Sequence, residues 1–439
     1  MSGKPPFSLS DFLDEAGIDP ENIDADETER INDALAELNP ELYGTGRGDG
    51  GSNTGPPTLD GSLDNNEFPG GSLQEFGASI SASGNTAVVG APGTDLGDGD
   101  DEGVAQVFER SNGSFQQVAT LTASEPGDRV GENVDIDGNT AVVGAPGTVS
   151  GDEYGEIYVY ERSGDTWDTS PVFQLTDADD ERGEPNETSG TVSPPDDYPR
   201  FGEVLEFQGD IIATLARGGP DARKAGLLVF RRTENSPTEW TWIRTYIDFG
   251  DPADIPVHVA TNGEYVLLTN SYPDINQVAR VFPVDDIDTF DDTGPGTEPV
   301  SEFGAVGDIV QSAGDTYPTI LIGAANEIRV YEAGADTDGF GPDFDLPEEV
   351  SETLSGPTGV GFGTSSLAAD GTTAVVGAPS EPMTDGTGAV YRFERGSGSW
   401  SQVDRITAPS GVTNFGTSLS LGPSTIYVGD GSNVYTYTR

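Results

Sequence analysis

The sequence has no cysteine, one histidine and two lysines in 439 residues. Without cysteine it has no disulfide, no thiolate nucleophile and no cysteine-ligated zinc site. A Ser-His-Asp triad would have to use His258, which lies in an alternating apolar run typical of a β-strand. We therefore interpret His258 as a strand residue and expect no enzymatic activity.

Hydrophobic segments of membrane length are also missing. No apolar run approaches the about 18 residues that a membrane span needs, and the first nine residues lack a basic stretch followed by an apolar core. The sequence therefore shows no secretory signal peptide and predicts no membrane insertion.

Basic residues are scarce, with 20 Lys and Arg against 77 Asp and Glu and a formal net charge of -57. Repulsion on this scale needs screening, and at 1 M salt the Debye length falls to roughly 3 Å. An acidic disordered tail would be the alternative, but the charge is spread along the whole chain between regular apolar runs. The composition predicts a protein of an extreme halophile, or of a virus that infects one, and excludes nucleic acid as a direct partner.

A repeat of about fifty residues dominates the sequence after residue 75. Three units nearly coincide, each with a short motif ending in Ser or Asn, then Thr-Ala-Val-Val-Gly-Ala-Pro, then an aromatic strand ending in Glu-Arg. The two motifs begin at Phe76 and Thr86, at Val130 and Thr140, and at Phe362 and Thr373. Fainter copies begin at Phe201, Pro256, Phe303 and Phe415.

Each unit contains short β-branched or aromatic strands separated by Gly, Asn, Asp and Pro turns, the pattern of one four-stranded propeller blade. The sequence thus predicts an all-β fold, a seven-bladed β-propeller of four-stranded blades over residues 76–439. The Gly after each Phe is expected where a side chain would clash near the axis, and the Phe is expected to wedge between blades. The outer strand expected after Phe282 has no clear pattern.

The last unit ends at Arg439 directly after its third strand, so an upstream segment should supply the fourth. We predict that Pro57–Leu63 closes the ring by pairing beside Val434–Thr438. This strand belongs to a predicted Gly-rich tether, residues 44–75.

A short α-helical arm is predicted before the tether, over residues 1–43. Apolar residues repeat at helical spacing after Ser8 and after Asp26. The residues that would form the apolar docking stripe are Leu9, Phe12, Leu13, Ile31, Leu35 and Leu38. Helices this short are marginal alone, so the arm should dock, either on another structural protein of an assembly or on this propeller itself.

The paired Phe-Gly and Gly-Ala-Pro motifs resemble the FG-GAP repeats of the integrin α-chain propeller and of microbial surface proteins. The resemblance covers roughly residues 76–439, strongly in three units. It implies a propeller that binds partners or ligands and does not itself catalyse a reaction.

The sequence departs from the resemblance at its calcium loops. Family members often carry an Asp-x-Asp-x-Asp-Gly loop between the first and second strands, where the carboxylates offer calcium the oxygens it prefers. Here those segments are tight turns such as Ser83–Asn85. Carboxylates cluster instead after the second strand of the first unit, so the candidate site for Ca²⁺ or another cation comprises Asp95, Asp98, Asp100 and Asp101. A solvated acidic surface is the alternative, and no cofactor is certain.

The longer predicted loops all emerge on one end of the propeller, the end that carries the turns between second and third strands and between units. Function on rigid scaffolds concentrates on such loops. Aromatic and basic residues in an acidic setting are typical of recognition patches, and those in these loops are Tyr154, Tyr198, Arg200, Arg223 and Lys224. Loop variation without function is the alternative for each.

Three function classes follow. The first is a multi-copy virion protein, a capsid decoration, spike or tail component, that recognises a host surface glycan or protein and is displayed on the virion surface. The second is an extracellular or cell-surface adhesin or lectin-like protein of a halophilic cell. The third is a glycosidase using two carboxylates. The missing signal peptide favours the first.

Overall fold

A computed structural model describes residues 59–63, 73–96, 102–111, 113–123, 129–147, 155–175, 201–217, 225–233, 239–247, 256–270, 279–284, 304–311, 317–332, 350–383, 386–396 and 398–439. The chain divides into two units, and all of these residues belong to the second, Gly55–Arg439. The predicted helical arm, with its stripe from Leu9 to Leu38, lies outside the described residues.

The described residues form 28 strands in seven antiparallel sheets, which we number along the chain. Sheets 1 to 3 consist of β2 (Ile80–Ser83), β3 (Thr86–Ala91), β4 (Val104–Ser111) and β5 (Ser114–Leu121); β6 (Asn133–Asp137), β7 (Thr140–Ala145), β8 (Glu156–Ser163), β9 (Thr166–Trp167) and β10 (Phe173–Leu175); and β11 (Val204–Gln208), β12 (Ile211–Arg217), β13 (Ala225–Arg232) and β14 (Trp240–Ile247).

Sheets 4 to 7 complete the fold. They consist of β15 (Pro256–Thr261), β16 (Tyr265–Asn270) and β17 (Ala279–Pro283); β18 (Gly307–Val310), β19 (Thr319–Ala324), β20 (Glu327–Glu332) and β21 (Glu352–Ser355); β22 (Leu367–Ala369), β23 (Thr373–Pro382), β24 (Thr387–Arg395) and β25 (Trp400–Thr407); and β26 (Ser418–Leu421), β27 (Thr425–Gly429) and β28 (Val434–Thr438) with β1 (Leu59–Leu63).

The expected fold class, a seven-bladed propeller of four-stranded blades behind a helical arm, needs correction. Six sheets contain the four-stranded path and are propeller blades, whereas sheet 4 has three strands in the described residues. The sequence that follows β17, residues 285–303, is rich in Asp, Gly, Pro and Thr and lacks the alternating apolar pattern of an outer strand. No α-helix occurs in the described part of the chain.

The first strands of the sheets lie at the centre of the arrangement. Each contacts the first strand of the preceding and of the following sheet, and β26 returns to β2, so the contacts form a closed cycle. Seven buried apolar clusters fill the spaces between consecutive sheets. The core is therefore a series of sheet-to-sheet interfaces, as in a propeller, because one blade cannot bury both of its faces alone.

The closing strand is the one expected from the incomplete last repeat. β1 pairs antiparallel with β28, with Ser62 opposite Tyr435 and Leu63 opposite Val434. Leu63 is buried in the cluster between sheets 7 and 1. A segment that precedes the first repeat thus becomes the outer strand of the last sheet and covers its edge.

The Phe-Gly motif forms a tight turn at the start of each well-preserved repeat. The Ala78 amide donates to the Glu75 carbonyl oxygen at 3.0 Å, and Gly77 has a φ of 85°. A positive φ at the third residue of such a turn is typical of type II and favours glycine. The Phe at the second position is buried between sheets, as predicted: Phe76, Phe201 and Phe415 are inaccessible to solvent.

The glycine of the Val-Val-Gly strand contacts the Phe-Gly turn of the next sheet. A Cβ on Gly90 would lie 1.9 Å from the Gly131 carbonyl oxygen, and one on Gly144 would lie 2.0 Å from that of Gly202. The two glycine motifs of the repeat therefore meet across the interface between neighbouring sheets. This close approach explains why the strand ends in glycine.

Arginines at the ends of third strands link neighbouring sheets. They lie at the end of the ring opposite the turns between second and third strands. Arg162 bonds Glu109 of sheet 1 at 2.9 Å. Arg232 bonds Glu161 at 3.3 Å and donates to Thr140 of sheet 2 at 2.6 Å. Sheets 5 and 6 are joined in the same way by Arg395 and Glu332, sheets 6 and 7 by Arg439 and Asp370, and sheets 7 and 1 by Arg110 and Thr425. The Glu-Arg ending of the repeat is thus an interface motif.

Candidate functional site

The end of the ring at which the first strands begin carries the turns between second and third strands, and we call it the loop face. Three non-glycine residues there have positive φ and directly precede the first motif of a repeat: Glu75 (59°), Arg129 (53°) and Asn414 (61°). Such backbone conformations are uncommon for residues with a Cβ and occur preferentially at functional positions.

Arg129 connects two repeats on the loop face. Its guanidinium lies 2.8 Å from the Glu75 carboxylate and 2.7 Å from that of Glu132. About a quarter of the Arg129 side chain and half of the Glu75 side chain remain accessible. The group is fixed in position yet reachable from solvent, which suits a contact with a partner.

A second polar group lies on the loop face of sheet 6. The Tyr391 hydroxyl donates to Glu381 at 2.8 Å and accepts from Arg405 at 3.1 Å, and the Arg405 guanidinium stacks over the Tyr391 ring at 5.8 Å. Burial is the main cause that raises the pKa of Tyr391. The segment around Glu381 is part of a long hairpin in which Pro382 pairs with Thr387.

The centre of the ring carries three carboxyl side chains that the sequence analysis did not single out. Asp135, Glu206 and Asp308 occupy the same position of their first strands, each opposite the third residue of its second strand, as the register shows. Each is surrounded by dense protein and keeps some accessible surface. In the sequence, each of the three is the fifth residue after the aromatic residue or Val that begins its repeat.

These carboxyls have unusual proton affinities. Burial raises the pKa of Asp308 to about 7. The pKa of Glu206 is raised well above its ordinary value by burial and then by Asp135 and Asp308, while burial also raises that of Asp135. Like charges close together in a poorly solvated place favour the protonated form. The arrangement can therefore hold protons at neutral pH.

The candidate cation site has one residue in the described part of the chain. Asp95 is exposed, and Asp98, Asp100 and Asp101 lie outside the described residues. The neighbouring carboxylate of Glu102 is buried and accepts a hydrogen bond from the Leu96 amide at 2.9 Å. Among described residues no group of three acidic or histidine side chains is placed to hold a metal ion.

The predicted recognition residues of the long loops, Tyr154, Tyr198, Arg200, Arg223 and Lys224, all lie outside the described residues. His258 is a strand residue, as predicted: it lies in β15, where its Nε2 is 2.8 Å from the Gly307 carbonyl oxygen. Within the described residues no helix is long and apolar enough to cross a membrane.

The closed cycle of antiparallel sheets, with its core between the sheets, defines the chain as a β-propeller. The family model of the FG-GAP repeat matches residues 70–108 and 115–160, the region of sheets 1 and 2. These two matches, together with the propeller-like arrangement of the sheets, support an FG-GAP repeat β-propeller. No curated protein matches it.

Proposed function

We propose that this protein is a recognition propeller that works at high salt on the surface of an assembly, and that the assembly is a virion that attaches to its host cell. The FG-GAP β-propeller fold is consistent with adhesion or recognition, and propellers of this type are typically not enzymes.

The loop face is the observation that carries the proposal. Glu75 and Arg129 hold strained backbone conformations on a rigid ring, and their charged ends remain reachable. The formal charge of -57 supports operation in concentrated salt, where the repulsion is screened. A host glycan or envelope protein is the partner that such a polar face would recognise.

A binding assay in molar salt tests recognition. The purified chain is incubated with cell envelopes of a halophilic host, and retained protein is measured. Arg129→Gln with Arg405→Gln should reduce binding at least tenfold. Asp165→Asn, in the exposed turn between β8 and β9 on the opposite face, is the control and should bind normally. Equal binding by both variants would exclude the described loop face as the recognition surface.

Proteomics distinguishes the first two function classes. The proposal predicts the chain in purified virus particles of an infected halophile culture. Its recovery from envelopes of uninfected cells would instead favour a cell-surface adhesin or lectin-like protein.

The carboxyls at the centre of the ring, Asp135, Glu206 and Asp308, are the specific observation that supports a glycosidase as an alternative function. Asp308 has the raised pKa of a general acid, and Asp135 is a carboxylate in its electrostatic vicinity. Release of reducing sugar from host glycans by the wild-type chain, lost in Asp308→Asn, would establish this alternative. We expect no release.

A further inference from the structure

The central position of the first strands forms a repeated lateral contact between sheets. A side-chain oxygen at this position accepts a hydrogen bond from an amide of the following sheet. The Ile136 amide donates to the Ser81 hydroxyl oxygen at 3.3 Å. In the same way the Phe207 amide donates to the Asp135 carboxylate at 2.6 Å, and the Ala369 amide donates to the Asp308 carboxyl at 2.8 Å. Between sheets, the described residues form isolated backbone bridges such as that of Gly103 with Val130, and these side-chain bonds tie neighbouring first strands together at the centre.

Asp135 is the most connected of these groups. It accepts hydrogen bonds from the Ser81 hydroxyl at 2.6 Å, from the Phe207 amide and from its own neighbour Ile136 at 2.8 Å. It also shares a hydrogen bond with the Glu206 carboxyl. Four donors suit an ionised Asp135, and Glu206 must then carry the proton that it donates. One carboxyl thereby joins sheets 1, 2 and 3.

Ionisation of all three groups would work against this arrangement. Glu206 would lose the proton that it shares with Asp135, and Asp308, which interacts electrostatically with both, would add a third negative charge. Such charges in the interior are screened less by salt than charges on the surface. High salt therefore does not remove their repulsion, unlike that of the acidic exterior.

We propose that Asp135, Glu206 and Asp308 form a proton-dependent clamp at the centre of the ring, which holds the first strands while Glu206 and Asp308 are protonated and loosens when all three carboxyls are ionised. This inference is independent of the proposed function. It assigns the three carboxyls a regulatory role in the rigidity of the propeller.

Two other titratable groups, Asp370 and His258, lie near the clamp. Asp370 acts on Asp308 but is itself paired with Arg439. His258 lies beside β18 and bonds the Gly307 carbonyl, and burial lowers its pKa. Protonation of His258 destabilises the fold as pH falls below about 6.5, opposite to the clamp. A comparison between variants that all retain His258 cancels its contribution.

The direction of the pH effect follows from the raised pKa values. The folded state holds protons on Glu206 and Asp308 at pH values where the unfolded chain has released them. The stabilisation is complete below about pH 4 and declines as pH rises toward and beyond about 7. Each retained proton changes the unfolding equilibrium constant by at most about tenfold per pH unit.

Denaturant unfolding of the full chain in molar salt, between pH 5 and pH 8, tests the clamp. The unfolding constant of the wild-type chain should rise with pH more steeply than that of Asp308→Asn, and Glu206→Gln with Asp308→Asn should flatten it further, because both amides mimic the protonated groups. Asp165→Asn, on an exposed turn, should retain the wild-type slope. Parallel pH dependence in all four proteins would overturn the proposal.

Two measurements on the wild-type chain keep the test independent of variant folding. Potentiometric titration should show the folded chain binding one to two more protons on its carboxyls at pH 6 than the denatured chain, once the proton that His258 partly binds in the denatured chain is subtracted. Hydrogen exchange, corrected for its chemical pH dependence, should show the Phe207 amide losing protection by at least tenfold between pH 5 and pH 8. No excess protons, or constant protection, would equally contradict the clamp.

Discussion

Single glycines determine how closely neighbouring sheets approach. Gly90 and Gly377 each face a carbonyl oxygen of the next sheet at a distance that leaves no room for a Cβ. Both ends of this contact are backbone, so no flexible side chain can move aside. At these two positions a side chain therefore cannot fit unless the backbone of a neighbouring sheet shifts.

We predict that Gly90→Ala lowers the free energy of unfolding by about 3 kcal/mol, the upper part of the range for overpacked cores. Chemical denaturation in molar salt measures it. Gly396→Ala is the matched control, because its Cβ would meet its nearest atom at an ordinary 3.6 Å. A Gly90→Ala protein as stable as the control would show that the interface is looser than described.

Arginine between sheets acts through shape as well as charge. Arg232 bonds two residues of sheet 2 and stacks over the Trp240 ring at 5.2 Å. Lysine can reproduce the charge but neither the planar fork nor the stacking.

Arg232→Lys should therefore cost about 1 kcal/mol. The control is Arg231→Lys, whose side chain points to the other face of the same strand. Melting temperatures in molar salt compare the two. A larger loss in the control would contradict the role assigned to Arg232.

Among the strands, β1 contributes most to the closure of the ring. It covers the edge of β28, and its Leu63 contributes to the interface between the last and first sheets. Removing it would expose both an unpaired strand edge and an apolar surface.

We expect removal of residues 1–63 to lower the melting temperature in molar salt and to promote aggregation. Removal of residues 1–54, which leaves β1 in place, should have little effect on the propeller. Identical melting of the two truncated chains would contradict the closing role of β1.

The strands and their closure were predictable because the repeat carries its own signals. Phe-Gly, the Val-Val-Gly strand and the aromatic third strand recur at fixed spacing, and the missing fourth strand of the last repeat indicated that β1 must supply it. The number of four-stranded blades was wrong because sheet 4 was assigned an outer strand for which the sequence offers no pattern. Periodicity predicts where strands lie, but not that every repeat is complete.

The candidate site was less predictable. Asp135, Glu206 and Asp308 each stand five residues after the start of their repeat, but in a chain with 77 acidic residues this shared spacing did not mark them as a group at the centre of the ring. The Arg129 group was not predicted, because the prediction relied on the aromatic and basic residues of the longer loops. Its signal is local: a charged residue directly before the turn of the repeat, held at positive φ.

At the scale of the whole molecule, surface charge and internal charge respond differently to salt. The net charge of -57 is carried largely by side chains that salt can screen. Ion pairs between sheets are half-buried and are screened less.

Lowering the salt from several molar to about 0.1 M lengthens the Debye length from less than 3 Å to roughly 10 Å. We predict a fall in melting temperature across this range, measured by circular dichroism, because surface repulsion increases. A melting temperature that is constant or rises at low salt would contradict the halophilic interpretation of the composition.

A segment preceding the first repeat closes the ring, and the absence of cysteine allows this pairing to be measured directly by disulfide formation. Ser62→Cys with Tyr435→Cys, and Gly61→Cys with Thr436→Cys, place thiols at adjacent paired positions, one of which has the closer spacing of a non-hydrogen-bonded pair. Peptide mapping after mild oxidation of the folded chain should show a disulfide in at least one pair, and much less in the offset pair Ser62→Cys with Tyr437→Cys. No disulfide in either registered pair, or equal cross-linking in the offset pair, would contradict the closure.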